Sequence, residues 1–234
     1  SGFEVGRIYQ AGTGLMAGDF FDLFKVSESR LVAVVGDVAG HGIESSITAF
    51  QAKYLLRVFL AQFRDPAQAL EELNAQMAGG ERIEEFISLV VVIFDTEAGT
   101  LRFASAGHPA AFLWHQREIR PLKATGPLLM LNPKATYLSR EIPLEAGDMI
   151  LMYTDGLAEV RNGEDLFGED RIAQHITVYT FGCVASCVRC SQGSFSALLE
   201  AHPLSTRLCC RSSLPRRKKP CGHSRQLRTN IHRP

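Results

Sequence analysis

The fold is decided by residues 31–46, which read LVAVVGDVAGHGIESS. Residues 31–35 are all apolar, and a short apolar run ending in Gly-Asp predicts a buried strand. Gly36 and Asp37 are expected to end this strand, the glycine-rich residues 38–42 predict a tight loop, and a helix is expected to begin near Ile43. A carboxylate at a strand end supplies hard oxygen ligands, and a following helix N-terminus favours anions. Asp37 is therefore a candidate metal or phosphate ligand, although an isolated Gly-Asp pair more often only ends a turn.

Composition divides the chain near residue 176. Residues 177–234 hold ten of the 25 lysines and arginines, all six cysteines and a single acid, Glu200. The first 176 residues therefore carry the excess of acid and no cysteine, which suits a reducing compartment. No apolar run approaches the ~20 residues of a membrane span, and the N-terminus lacks the regions of a signal peptide. We therefore predict a cytoplasmic protein without a membrane partner, with one domain in residues 1–176 and an atypical basic tail.

The pattern of residues 1–176 predicts more strands than helices. Helical spacing predicts two consecutive helices over residues 44–63 and 67–77, with Asp65 as N-cap and Pro66 at the first helical position. The apolar residues of the first helix are interpreted as core packing against a sheet; they are Ile47, Phe50, Tyr54, Leu55, Val58, Phe59 and Phe63. Strands are predicted at residues 3–10, 18–24, 31–35, 86–95, 101–105, 110–115, 137–142 and 149–153. Short connections and paired helices favour antiparallel sheets with helices packed outside.

Three acids stand at or beside predicted strand ends next to glycine. They are Asp19 in AGDFFD, Asp37 in GDVAGHG and Asp155 in YTDG. Carboxylates rarely gather at one end of an apolar sheet without a cation, because unpaired buried charge is costly. Ligation by oxygen alone favours Mg²⁺ or Mn²⁺. Two such ions can activate a water molecule and neutralise a phosphoryl group during in-line attack.

Four motifs occur along the chain in this order: AGDFFD at residues 17–22, GDVAGHGIESS at 36–46, SAGHPAAFLW at 105–114 and AGDMILMYTDGLAEVRN at 146–162. Together they resemble the bacterial PPM (PP2C-like) metal-dependent serine/threonine phosphatases of the SpoIIE and RsbU type. The resemblance covers about residues 3–175. It implies an α+β fold, namely a four-layer α-β-β-α sandwich of two mainly antiparallel sheets flanked by helix pairs. It also implies two Mn²⁺ or Mg²⁺ ions and hydrolysis of phosphoserine or phosphothreonine.

The resemblance also implies partners. The substrate would be a phosphorylated protein of the anti-sigma-factor antagonist type. The full-length protein would carry an upstream sensor or receiver domain, and a homodimer is left open. Nucleic acid is not expected as a partner.

By position in these motifs, the resemblance assigns the metal ligands. Asp19 resembles the first ligand and Asp37 the bridging ligand, with the backbone carbonyl of Val38 as its companion. Asp155 resembles the ligand from the late strand.

Two histidines and a further acid lie in the same motifs. His41 is a candidate general acid for the leaving serine oxygen, because its ordinary pKa suits proton transfer near neutral pH; a histidine that only shapes the loop is the alternative. Asp22 is expected to support the metal site or to be a weak ligand. His108 is expected to hold a turn.

The C-terminal segment departs from the family pattern. Members usually end with an aspartate pair on a closing strand of DDITLLVV style, and one of those acids completes the metal site. No aspartate follows Asp170, so the resemblance implies that the last helix, the closing strand and one ligand are lost. We interpret the tail as an altered, for example frame-shifted, segment; a disordered basic arm that binds nucleic acid or anionic surfaces is the alternative. The C-x3-C-x2-C run at residues 183–190 is interpreted as chance, not as a metal site.

The predicted function is metal-dependent hydrolysis of phosphoserine or phosphothreonine on a protein. Asp37 and His41 are the candidate catalytic residues. The alternative is an impaired phosphatase-like module that binds a phosphoprotein without turnover. A haloacid-dehalogenase-type phosphatase is excluded, since that chemistry needs D-x-D at the strand end and Tyr153 stands two residues before Asp155.

Overall fold

Two five-stranded sheets organise the chain. The computed structural model describes residues 3–10, 18–78, 85–162, 164–179 and 205–212. Its strands are β1 (Phe3–Gln10), β2 (Phe20–Lys25), β3 (Arg30–Val38), β4 (Ile87–Asp95), β5 (Thr100–Ala106), β6 (Ala111–His115), β7 (Glu118–Leu122), β8 (Arg140–Pro143), β9 (Met149–Tyr153), β10 (Arg161–Asn162), β11 (Asp165–Leu166) and β12 (Ser205–Ser212). Its helices are α1 (Ile43–Gln62), α2 (Pro66–Met77), α3 (Asp155–Ala158) and α4 (Gly168–Tyr179).

Neighbouring strands run antiparallel in both sheets. The first sheet has the order β2-β3-β4-β5-β8, and the second has the order β1-β12-β9-β6-β7. Strands β10 and β11 form a separate small hairpin. The predicted pair of mainly antiparallel sheets is therefore confirmed.

The layers follow from the alternation of side chains along the strands. On β3, Val32 and Val34 pack with residues of α1 and α2, whereas Ala33 and Val35 pack against the second sheet. The outer face of the second sheet packs against residues of α3 and α4. Each sheet is thus covered on both faces, which gives the predicted α-β-β-α order of layers.

Helix α1 turns a different face to the sheet from the one predicted. Its buried residues are mostly small: Ser45, Thr48, Ala49, Ala52, Leu56 and Leu60. Of the apolar residues assigned to the core, Ile47, Phe50, Tyr54 and Val58 are exposed, so the prediction is wrong for these four. The helix carries apolar residues around most of its circumference, and small residues let its backbone approach the sheet closely. Even so, no helix among the described residues is long and apolar enough to span a membrane.

Strand β12 occupies the position of the closing strand in the second sheet. It lies between β1 and β9, with Arg207 opposite Ile8 on one side and Tyr153 on the other. The expectation that the closing strand is lost is therefore wrong, although the strand begins with Ser205 and Thr206 and contains no carboxylate. The predictions for the cysteine run and for the rest of the tail lie outside the described residues.

Most predicted strand positions are confirmed, and the differences have local causes. Strand β7 was not predicted, because its sequence EIRPL is polar and contains Pro121. The proline is tolerated because β7 is an edge strand, where one side of the backbone has no strand partner. Gln116 and Arg117 connect β6 to β7 with φ values of 52° and 68°, as the tight turn of a hairpin requires. Strand β8 begins at Arg140, three residues later than predicted.

Helix α2 holds the long connection between β7 and β8. The buried amide of Asn74 donates from Nδ2 to the carbonyl of Asn132 (2.7 Å) and accepts at Oδ1 from the backbone N–H of Met130 (2.8 Å). With the connection held there, Leu129 exchanges two backbone hydrogen bonds with Ile87 (3.3 and 3.0 Å). Ile87 is the strand partner of Val38, so the loop extends the first sheet beside the candidate site.

Candidate active site

The site begins where the segment before β2 meets the end of β3. The backbone N–H of Val38 donates to the carbonyl of Gly18 at 3.3 Å. A Cβ atom built on Gly18 would lie 2.3 Å from the Val38 carbonyl oxygen and 3.0 Å from Asp37 Oδ1. Only glycine therefore lets these two stretches of backbone approach, and this approach places Asp19 beside Asp37.

The predicted carboxylates act on one another. Burial raises the pKa of Asp37 to about 8, and the nearby charges of Asp19 and Asp155 add to the rise. The carboxyl groups of Asp37 and Asp19 are also joined by a hydrogen bond, which requires a shared proton. Asp155 is exposed and is the first residue of α3. The structure thus brings together acids from three separate parts of the sequence.

The chemistry of these donors fits a divalent cation. Asp19 and Asp37 offer carboxylate oxygens, and the Val38 carbonyl lies against Gly18 at the same place. A cation would relieve the repulsion that raises the Asp37 pKa. Within the described ranges, however, no group of three or more His, Cys, Asp or Glu side chains is arranged to hold a metal ion. The donors therefore form a contacting pair with Asp155 nearby, not a closed coordination shell.

Thr154 is a site residue that sequence reasoning missed. Its side chain is fully buried, and its Oγ1 donates to Asp19 Oδ2 at 3.0 Å. Thr154 is the N-cap of α3, yet its side chain makes no capping hydrogen bond. The bond to Asp19 joins the end of the second sheet to the start of β2. Nothing in the sequence signals it, because the two residues are 135 positions apart.

Replacing Thr154 with valine should weaken metal binding more than turnover. Valine keeps the shape but removes the hydroxyl that orients Asp19, and loss of such a partner typically lowers metal affinity by about 10-fold or more. The measurement is the Mn²⁺ concentration that gives half-maximal activity, compared with kcat at saturating Mn²⁺. Thr154→Ser should restore affinity, and Thr136→Val, at an exposed loop position, is the control. An unchanged Mn²⁺ requirement in Thr154→Val would contradict the role.

His41 is exposed in the loop between Asp37 and α1. The glycines on either side, Gly40 and Gly42, have φ values of 100° and 93°, which other residues rarely adopt. Among the described residues the His41 ring forms no hydrogen bond or ion pair. The role of His41 as general acid stays a prediction.

His108 is a buried link beneath the site. Its Nε2 lies 3.0 Å from the carbonyl oxygen of Tyr153, and its Nδ1 lies 2.9 Å from Ser88 Oγ. Because a carbonyl can only accept, Nε2 carries the proton and Nδ1 accepts from the Ser88 hydroxyl. Burial lowers the pKa of His108 to about 4. These contacts agree with the expected structural role.

Asp22 does not support the metal site as expected. Its buried carboxylate accepts hydrogen bonds from Nε and Nη2 of Arg57, the latter at 2.7 Å to Oδ1, and Lys53 Nζ lies 3.9 Å away. Arg57 also stacks over the ring of Phe24 at 4.7 Å. Asp22 therefore ties α1 to β2. Asp22 was expected at the metal site because it is close to Asp19 in the sequence. It lies on β2, however, where the pleat of the strand sets the direction of its side chain.

Known proteins share this architecture. A family profile described as Stage II sporulation protein E (SpoIIE) matches residues 27–185. Protein IcfG of Synechocystis is 25% identical over 75% of this chain and 32% of its own length. Phosphoserine phosphatase RsbU of Bacillus subtilis is 29% identical over 62% of this chain and 44% of its own. The chain thus spans less than half the length of these two relatives.

Solved structures agree with the family match. The RsbU and RsbW domains of Rv1364c from Mycobacterium tuberculosis superpose with a TM-score of 0.74 at 26% identity, over 90% of this chain and 60% of that one. The SiaA-PP2C domain of Pseudomonas aeruginosa has a TM-score of 0.78 at 19% identity, over 89% and 85%.

The sandwich of two antiparallel sheets between helices is a PP2C-type fold. Two relatives, RsbU and RsbP of Bacillus subtilis, are named phosphoserine phosphatases, and for this chain the enzyme class stays a prediction. The chain belongs to the SpoIIE family.

Proposed function

We propose that this chain hydrolyses phosphoserine or phosphothreonine on a protein substrate with the help of Mn²⁺ or Mg²⁺. The observation that supports this most is the contact between Asp19 and Asp37, with the charge of Asp155 acting on the same carboxyl group. In this proposal, the phosphorylated side chain binds beside these three acids.

Each residue has a defined task in this proposal. Asp19, Asp37 and Asp155 hold the cations, together with the Val38 carbonyl. The cations, when bound, supply a nucleophile at neutral pH and neutralise phosphoryl charge. His41 donates a proton to the leaving serine or threonine oxygen.

The wider biological setting is proposed from the relatives. RsbU and RsbP of Bacillus subtilis are named phosphoserine phosphatases. We propose a phosphorylated partner of the anti-sigma-factor antagonist type, a cytoplasmic location and an upstream sensor or receiver domain in the full-length protein.

A second candidate function is a binding module without turnover. It is favoured by β12, which fills the closing position without a carboxylate, whereas the resemblance implies an aspartate ligand there. For residues 177–234 we keep the proposal of an altered basic tail, which intact-mass measurement and resequencing of the coding DNA would check.

The deciding experiment is a phosphate-release assay on the 234-residue chain with a phosphoserine peptide and with p-nitrophenyl phosphate. Release that requires Mn²⁺ or Mg²⁺ and stops with a chelator supports the enzyme, and a phosphotyrosine peptide is the specificity control. Peptide binding without release in any metal would favour the module. Neither release nor binding would contradict both functions.

A further inference from the structure

A cleft outside the candidate active site lies at the other end of the first sheet. It has a volume of about 520 Å³ and is enclosed by the β2–β3 turn, the link between α1 and α2, and the β4–β5 turn. Arg30 at the start of β3 lines the cleft, whereas Asp37 stands near the end of the same strand. The two positions are seven residues apart, which corresponds to roughly 23 Å at about 3.3 Å per residue. The cleft is therefore a separate place on the molecule.

Two arginine side chains give the cleft its positive charge. Arg30 comes from the β2–β3 turn and Arg64 from the link between the two helices. Among the residues that the structure describes, neither guanidinium group forms an ion pair or a hydrogen bond. Two like charges in one cleft repel each other, and an anion bound between them is attracted by both. Both guanidinium groups therefore remain able to bind an anion.

The acidic side chains of the cleft are mostly engaged elsewhere. Asp95 Oδ1 accepts hydrogen bonds from the backbone N–H groups of Glu97 (3.1 Å) and Ala98 (2.9 Å). The side chain of Glu28 is fully exposed, and its Oε2 lies 3.7 Å from Lys25 Nζ. Glu97 is the remaining acid of the lining. One exposed carboxylate weakens the attraction of two guanidinium groups for an anion but does not cancel it.

The β2–β3 turn adds a hydroxyl donor to the cleft. Ser27 Oγ accepts from the backbone N–H of Arg30 at 3.2 Å and lies 3.3 Å from Ser29 Oγ. Each hydroxyl has one proton and the contact between them uses only one, so the other proton is left for a ligand. The turn itself is held in place, because the Ser29 carbonyl accepts from the N–H and the Oγ1 of Thr96 (2.9 and 3.1 Å).

The lining of the cleft selects the chemistry of its ligand. A guanidinium group binds phosphate oxygens through two parallel hydrogen bonds. Among the described residues of the lining, Ala98 is the single apolar one and none is aromatic, so the cleft offers no surface for a nucleotide base or an acyl chain. Its volume falls within the range of about 300–1,000 Å³ that small-molecule sites have, which leaves room for more than one phosphate group.

We propose that this cleft binds a small anion that carries two or more phosphate groups and no large apolar part. Arg30 and Arg64 bind its phosphate oxygens, and a serine hydroxyl of the β2–β3 turn donates to it. The site is distinct from the candidate active site, and the proposal does not depend on the proposed phosphatase activity.

Inorganic diphosphate is the probe, and the full 234-residue chain is titrated with it by calorimetry in the presence of a chelator. Without divalent cations, the acids Asp19, Asp37 and Asp155 repel an anion, so the candidate active site does not contribute to binding. We expect one diphosphate per chain. Arg30→Gln and Arg64→Gln should each weaken binding by at least about 10-fold, since each removes hydrogen bonds between charged groups.

Glu97→Gln should have the opposite effect and tighten binding by about threefold, because it removes the repulsion of one exposed carboxylate. The matched control is Arg140→Gln, at an exposed position on β8 outside the lining of the cleft. This variant removes the same charge as the two arginine variants and should bind diphosphate as the wild type does. Thermal melting establishes that each variant is folded.

Three results would overturn the proposal. One is a folded wild type that binds no diphosphate at millimolar concentration. Another is binding that survives when Arg30→Gln and Arg64→Gln are combined, because it would then belong to another basic part of the chain, such as residues 177–234 with their ten lysines and arginines. The third is equal weakening by Arg140→Gln, since diphosphate would then respond to net charge alone and not to a site.

Discussion

Replacing Asp37 with asparagine should abolish metal-dependent turnover while leaving the metal-free fold at least as stable as the wild type. Asp37 is largely buried and repelled by Asp19 and Asp155. Asparagine keeps the size of the side chain and removes the repelling charge, so the metal-free protein loses nothing. The same change removes a carboxylate that holds the cation. We expect kcat/KM to fall by about 1,000-fold, in the range seen when a central electrostatic group is removed from an active site.

Two measurements check this prediction together. Phosphate release with Mn²⁺ gives kcat/KM, and thermal or urea unfolding with and without Mn²⁺ gives the metal-linked stability. A ligand at 100 times its dissociation constant stabilises the folded state by about 2.7 kcal/mol, so the wild type should gain about this much and Asp37→Asn almost nothing.

The matched control is Asp95→Asn at the opposite end of the same sheet. Asp95 accepts hydrogen bonds from the backbone N–H groups of Glu97 and Ala98 in a turn, which an asparagine oxygen can also accept. The Asp95→Asn variant should therefore keep both its turnover and its stabilisation by Mn²⁺. If Asp37→Asn retains the Mn²⁺-induced stabilisation, Asp37 is not a metal ligand.

His108 should make the fold sensitive to mild acid, an effect that the raised pKa of Asp37 opposes over the same pH range. Its pKa is lowered to about 4 in the folded state by burial, whereas an unfolded histidine titrates near 6.5. The unfolded chain therefore binds this proton more readily, and stability falls as the pH drops from about 6.5 towards 4. The difference corresponds to on the order of 3 kcal/mol, a large part of the stability of a typical domain.

The measurement is the free energy of unfolding in urea at several pH values between 4 and 8. His108→Gln should be less stable at neutral pH, since a buried link between Ser88 and Tyr153 is disturbed, but it should gain stability relative to the wild type as the pH falls from about 6.5 towards 4. The control His41→Gln, at an exposed position, should retain the wild-type slope. Equal slopes for wild type and His108→Gln would show that another group causes the acid sensitivity.

The predictions that the structure confirmed depend on local patterns. The end of β3 at Asp37-Val38, the glycine loop and the start of α1 all follow from residues adjacent in the sequence. Asp65 is likewise the N-cap of α2, accepting from the N–H of Ala67 at 3.0 Å. These features arise from hydrophobic periodicity, capping and turn chemistry, which act over a few residues.

The predictions that failed depend on contacts between distant residues. Asp22 was assigned to the metal site by proximity to Asp19, but Arg57, 35 residues away, binds it. Thr154 was overlooked because its partner Asp19 lies 135 positions away in the sequence, just before β2. Strand β12 was missed because its sequence STRLCCRS has little apolar alternation, and its place between β1 and β9 is set by two strand pairings.

By itself, the sequence therefore determined the class of fold and the acids at the strand ends, because strand, turn and helix signals are local and the family motifs are contiguous. Only the tertiary structure decided which face of α1 is buried, which group orients Asp19 and what fills the closing position of the second sheet. The physical reason is that packing brings together residues that are far apart in the sequence. Packing decides which side of α1 is buried, which carboxylate the Thr154 hydroxyl binds and which segment pairs between β1 and β9, and no local pattern contains this information.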